Sequence, residues 1–195
     1  MNNACMNDLF SVPVAECQLD IDVKEMSNEC LNYSLNNPTV FKSNAGGYQS
    51  GDISKINSSV FTNFFKQLKE EVNRYQNHIK CPKINMDSFY CWININDKKN
   101  HNVPHTHPKS IISGAFYVKV PENSGRIQFQ NPAVRVMESY WEHYCDEYTK
   151  YNSVIWSIQP EEKKLLLFPS WLVHSVEPNY SNEKRISISF NLSGQ

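Results

Sequence analysis

With 195 residues, 40% of them apolar and 12% aromatic, the chain can bury a real core and is expected to form one domain over residues 1–195. Its 19 basic and 20 acidic side chains leave a formal net charge of −1, which argues against disorder and against nucleic-acid binding by bulk charge. No run approaches the ~20 apolar residues of a membrane helix, and residues 1–8 carry neither the basic nor the apolar region of an export signal.

Residues 9–14 are a short apolar stretch ending near Pro13. From 20 to 37, Ile21, Val23, Met26, Cys30, Leu31 and Leu35 recur at mostly helical spacing. The glycines of 46–52 read as a loop. A longer helix is predicted over 53–79. There Ile56, Val60, Phe64, Leu68, Val72, Tyr75 and Ile79 return every three or four residues, and Phe61 and Phe65 widen the stripe. The plain reading of that stripe is core packing.

After Pro82 the period changes to two. Phe89, Cys91, Ile93 and Ile95 alternate with Tyr90, Trp92, Asn94 and Asn96, which predicts a strand. Residues 112–120 form another, with Ile112, Phe116, Val118 and Val120 on one face and Ser113, Ala115 and Tyr117 on the other. A turn at 121–125 leads to a strand over 126–130. Residues 133–152 crowd Tyr140, Trp141, Tyr144, Tyr148 and Tyr151 among acids; such an insertion either covers a site or decorates the sheet. Strands at 154–159, 165–168 and 185–192 complete the series. Helices first and short strands after predict an α+β fold, an antiparallel sandwich or barrel backed by helices.

Three passages could carry chemistry. In His105-Thr106-His107, flanked by Pro104 and Pro108, extended backbone would point both rings to one face, where they can share a metal ion. In a polar loop the same pair would simply be solvated. His174 follows the apolar run Leu165-Leu-Leu-Phe-Pro-Ser-Trp-Leu-Val, either at a barrel mouth or as a core histidine satisfied by a carbonyl. Arg185 opens a strand whose Ile186, Ile188, Phe190 and Leu192 face one way, with Arg185, Ser187 and Ser189 facing the other. If buried, its planar fork needs an anion such as a carboxylate, with Ser187 as a second donor; at an exposed strand end it would pair with a surface acid. Together, H-x-H, a distant His and R-x-S describe a metal site of three protein ligands with a carboxylate anchor beside it. Mononuclear non-haem Fe(II) oxygenases use that arrangement. The cysteines, at 5, 17, 30, 81, 91 and 145, form no C-x-x-C pair and read as the reduced thiols of a cytoplasm.

The chain resembles the 2-oxoglutarate- and Fe(II)-dependent oxygenases of marine bacteria and their phages, within the wider prolyl-hydroxylase-like group. The resemblance runs from roughly residue 9 to the C-terminus. It rests on Gly46-Gly-Tyr-Gln-Ser50, on Cys91-Trp-Ile-Asn-Ile-Asn96 leading to Asn102-Val-Pro-His-Thr-His-Pro108, on Ser113-Gly-Ala-Phe-Tyr-Val-Lys-Val-Pro121, and on the passages around His174 and Arg185. It implies a double-stranded β-helix (jelly roll) over about 83–195. A strand and helices within about 9–80 would form an N-terminal support, the helices packing against the major sheet, and 133–152 would be an aromatic insertion. It further implies Fe(II) held by His105 and His174, and 2-oxoglutarate anchored through its distal carboxylate by Arg185 with Ser187. O2 would then drive oxidation of the cosubstrate to succinate and CO2, coupled to hydroxylation of a substrate. Such an enzyme would work in the cytoplasm of a bacterium or an infected host cell.

Most of that superfamily has Asp or Glu where His107 stands. His107 is then a third ligand, which is the preferred reading, or it stands behind a metal-bound water, or it marks a lost metal site. Trp92, Asn94, Tyr117 and Gln128 are candidates to line the substrate pocket; His101 is expected in a solvated loop, and His143 is spare. The substrate would be a small molecule or a peptide. An exposed strand edge would leave room for a homodimer. Two other readings stay open: a cupin-like three-histidine metal enzyme that does not use 2-oxoglutarate, and a non-catalytic jelly-roll binding protein.

Overall fold

The computed structural model describes residues 5–140 and 145–194. Of the aromatic insertion expected at 133–152, residues 141–144 and the side chain of Tyr140 lie outside the described residues, and His143 with them.

Eleven strands and three α-helices follow one another as β1 (Ala15–Gln18), α1 (Val23–Asn36), β2 (Asn44–Ala45), β3 (Tyr48–Gln49), α2 (Ser59–Ile79), β4 (Tyr90–Asn96), β5 (His101–His105), β6 (Ile112–Lys119), β7 (Ile127–Gln130), α3 (Val134–Tyr140), β8 (Ile155–Ile158), β9 (Lys164–Pro169), β10 (His174–Val176) and β11 (Arg185–Leu192) among the described residues. All the strand pairs are antiparallel. The strands make a six-stranded sheet, β1-β9-β6-β11-β4-β3, and a five-stranded sheet, β2-β5-β10-β7-β8. From β4 to β7 and again from β8 to β11 the chain alternates between the sheets, which winds them into a jelly roll.

Binary patterning decides which face goes where. Cys91, Ile93 and Ile95 of β4, Phe116 and Val118 of β6, and Ile186, Ile188 and Phe190 of β11 pack against the helices in one core. The helices supply Met26 and Cys30 from α1, and Phe61, Phe64, Leu68 and Val72 from α2. The Phe64 and Phe116 rings meet with centroids 4.9 Å apart. The opposite face of the large sheet turns inward, where Tyr117, Ile127, Phe129, Leu166, Phe168 and Leu172 form a second, smaller core. Asp22 starts α1 by accepting from the amides of Lys24 and Glu25, both at 3.0 Å. Lys80, in the left-handed region at φ 52°, ends α2.

Four local expectations change. The long helix begins at Ser59 rather than at residue 53. Ile53 is buried, but its N–H donates to Cys91 O at 2.8 Å, so it extends the sheet and mimics helical spacing. Residues 46–52 are more than a loop: Gly46, at φ +79°, and Gly47 carry the chain over the rim, from β2 in the small sheet to β3 in the large one. His101 opens β5, half-buried and paired with Ala45, instead of lying in a solvated loop. The strand of the N-terminal support, β1, lies after the apolar stretch at 9–14 rather than within it, and pairs with β9, Ala15 opposite Leu167. Among the described residues no helix is long and apolar enough to cross a membrane.

Candidate metal centre

β5 and β10 bring two histidines together from distant parts of the chain. His105, the last residue of β5, pairs directly with His174, the first of β10. Their ring centroids are 4.3 Å apart. His107 lies just beyond β5, pinned by its N–H to Ser170 O at 3.0 Å. That carbonyl belongs to the Pro-Ser-Trp turn after β9, so the turn positions His107 and leads directly to His174. The His107 ring is 4.9 Å from His105 and 5.1 Å from His174. One nitrogen from each of the three lies within 4.8 Å of the others.

The tautomers suit metal binding. His105 Nδ1 sits 2.7 Å from Val103 O, and His174 Nδ1 sits 2.9 Å from Leu172 O. A carbonyl can only accept, so each Nδ1 carries the proton and leaves Nε2 with a free lone pair. Burial disfavours the charged form of all three rings. It brings His107 down to about 4, helped by His105 and Lys42, and His174 to about 3, with His105 contributing; His105 itself is lowered, chiefly by burial. Three neutral imidazoles converging in an aromatic setting of Trp92, Phe129 and Phe168 are a competent donor set for a divalent metal.

Further inside lies a narrow cavity of about 40 Å³ between the sheets, lined by the three histidines, Trp92, Asn94, Tyr117, Arg185, Ser187 and their neighbours. Arg185 is 2% exposed. Its Nη1 donates to Ser124 O at 2.8 Å, and it has no acidic partner among the described residues. Desolvation lowers its pKa only to about 10, so it stays cationic at neutral pH. A buried guanidinium without an acidic partner is costly, and this one borders the narrow cavity beside the histidines. Ser187, two residues on along β11, lines the same cavity. The residues present therefore fit a metal ion with a carboxylate-bearing cosubstrate.

The other expected pocket residues divide. Trp92 and Asn94 line the cavity, where Asn94 Nδ2 donates to Ser189 Oγ at 3.0 Å. Tyr117 lines its inner end close to the Arg185 charge, and desolvation pushes its hydroxyl pKa up. Gln128 is placed elsewhere. Ile127 and Phe129 of β7 point inward, so Gln128 points to the other face, where its Nε2 donates to Glu177 Oε1 at 3.0 Å. The sequence reading did not single out Lys42 or Gln49 as site residues. Both line an outer cleft that shares Trp92, His105 and His107 with the cavity.

A jelly roll with converging imidazoles and an unpaired buried arginine is the frame of a non-haem metal oxygenase. A family model described as "Putative 2OG-Fe(II) oxygenase" matches residues 90–191, more than half of the chain and almost all of β4 to β11. The chain belongs to this family: it is a 2-oxoglutarate-dependent Fe(II) dioxygenase, using Fe(II), 2-oxoglutarate and O2. Among solved structures it is similar to a Pseudomonas putida prolyl-4-hydroxylase, with a TM-score of 0.71 at 13% identity over 96% of each chain. It is also similar to a viral collagen prolyl hydroxylase from Paramecium Bursaria Chlorella virus-1, with a TM-score of 0.63 at 15% identity over 93% of this chain and 96% of that one. A Trichoplax adhaerens prolyl hydroxylase gives 0.67 at 14% identity over 92% and 83%. At these identities the likeness establishes the fold and not a substrate. Comparison with curated proteins gives no match.

Proposed function

We propose that His105, His107 and His174 hold the Fe(II) ion, that Arg185 with Ser187 holds the far carboxylate of 2-oxoglutarate, and that a substrate is hydroxylated at the mouth of the roll beside His107. The observation that supports this most is the pairing of three neutral, converging imidazoles with a buried guanidinium that lacks an acidic partner. When bound, iron and cosubstrate supply the oxidising chemistry, with succinate and CO2 as products. The chain's own residues orient and shield. Val103 O and Leu172 O fix the imidazole tautomers, and Ser124 O steadies the guanidinium. Phe129 and Phe168 keep water from one side of His174.

The chain acts as one oxygenase domain over residues 1–195, in which residues 9–80 support a catalytic roll over 83–195. The 133–152 insertion joins β7 to β8 at the edge of the small sheet. The substrate is a small molecule or a peptide, and the net charge of −1 weighs against a nucleic acid. Six free cysteines, with Cys30 and Cys91 buried, suit a reducing cytoplasm.

Co(II) uptake by His105→Ala, His107→Ala and His174→Ala tests the ligand set. Each is expected to weaken binding by at least about tenfold, while His107→Asp retains the metal. Unchanged affinity in His107→Ala would show that this imidazole is not a ligand.

A further inference from the structure

Outside the three histidines the roll opens into a cleft of about 550 Å³ that includes Lys42, Gln49, Tyr90, Trp92 and His107. One of these groups is a cation with no described acid beside it, and another is a buried acceptor left empty. The Lys42 ammonium lies 5.2 Å from the centroid of the Tyr90 ring and forms no ion pair with a described acid. Gln49 is 2% exposed, and its Oε1 is buried without a hydrogen-bond partner. Native proteins seldom leave such an acceptor empty, and where they do a ligand donor often fills it. β3 fixes its position: Gln49 pairs with Asn94, so its side chain shares the inward face of β4 with Asn94 and Trp92.

Among the described residues no Asp or Glu lines either the cleft or the inner cavity, and the described Lys and Arg side chains that line them are Lys42 in the cleft and Arg185 in the cavity. A carboxylate of 2-oxoglutarate answers Arg185. No described acid answers Lys42.

We propose that this cleft binds the primary substrate as a small anionic molecule, its anionic group on Lys42 and an adjacent N–H donor on Gln49 Oε1, which is the chemistry of an α-amino acid's carboxylate and ammonium. This deepens the oxygenase reading above and rests on it. The Tyr90 and Trp92 rings, 5.4 Å apart and tilted by 43°, give the substrate's remaining atoms an apolar wall. The cleft volume falls within the ~300–1,000 Å³ of small-molecule sites. Lys42 selects against neutral and cationic molecules, and Gln49 against those offering only acceptors next to the anionic group.

The test uses the full chain with Fe(II) and 2-oxoglutarate under nitrogen. The visible band of the cosubstrate chelate is recorded first, then binding of the common free α-amino acids and of their carboxamides by calorimetry. At least one amino acid is expected to bind, with its carboxamide at least tenfold weaker. Lys42→Met and Gln49→Leu should each weaken amino-acid binding at least tenfold and leave the affinity for 2-oxoglutarate unchanged. Lys42 is exposed, so Lys42→Met decides the matter if Gln49→Leu does not fold. No amino-acid binding while the chelate forms would overturn the proposal, as would carboxamides that bind equally well or a Lys42→Met protein that binds like the parent. Absence of the chelate band in the parent protein would instead overturn the oxygenase reading, and this proposal with it.

Discussion

Arg185 keeps its charge in a place where charge is expensive. Before cosubstrate arrives, one carbonyl is its only hydrogen-bond partner among the described residues. The metal-free fold therefore carries an electrostatic burden that a bound carboxylate would remove. Arg185→Met keeps much of the packing and removes the charge. It is expected to weaken 2-oxoglutarate binding at least tenfold, to leave Co(II) uptake intact, and to hold or raise metal-free stability by about 1–3 kcal/mol. Denaturant unfolding and cosubstrate titration check both halves; a clear loss of stability would show that the guanidinium is satisfied within the protein. Arg185 and Ser187 were legible in the sequence because β11 alternates without interruption, so their face could be assigned. His105 and His174 were legible as candidates, but their pairing across β5 and β10 was not. Gln49 and Lys42 escaped notice because what makes them interesting, a missing partner in a shared cleft, exists only after folding. Gln128 also alternates within a strand, and the sequence could not show which face of β7 would turn inward.

At the scale of elements, α2 holds the large sheet in shape through its apolar stripe. Phe64 is fully buried and meets Phe116, so Phe64→Ala is expected to cost about 3–5 kcal/mol in chemical denaturation. A loss below about 1 kcal/mol would mean that the helix is not a structural support. In the small sheet, Glu177 accepts from Arg126 Nε and Nη2 at 2.9 and 2.8 Å, joining the start of β7 to the residue after β10. The Arg126 hydrogen bonds hold its carboxyl below the ordinary value of 4.5. A depressed acid stabilises the fold above its unfolded pKa and loses that contribution as pH falls through the folded one. The stability difference between the parent and Glu177→Gln is therefore expected to shrink as pH drops below about 4.5, from a starting value under about 1 kcal/mol because the pair is partly exposed. A difference constant from pH 7 to pH 3 would contradict that assignment. Element types were easiest to read where one period ran long, as in α2, β4 and β11. β5 was obscured by Pro104 and by the polar run at 100–102, because its pairing with β2 and β10 depends on tertiary context rather than on an apolar face.

Across the whole molecule, the jelly roll separates two tasks. Helices cover the outer face of the large sheet, which makes that sheet a rigid wall. The inner face is then free to carry polar groups: Asn94, Arg185, Ser187 and Ser189 line a cavity that closes on the three histidines. The buried guanidinium, the three histidines and the outer cleft lie in that order from the inside of the roll to its mouth, with His105, His107 and Trp92 shared between cavity and cleft. The most direct test of this arrangement is anaerobic titration of the Fe(II)-loaded protein with 2-oxoglutarate, following the weak visible band of the chelate. The band should appear with the parent protein, disappear in His174→Ala, and require at least tenfold more 2-oxoglutarate in Arg185→Met. Bound iron with no band at saturating 2-oxoglutarate would contradict the placement of metal and cosubstrate in this cavity.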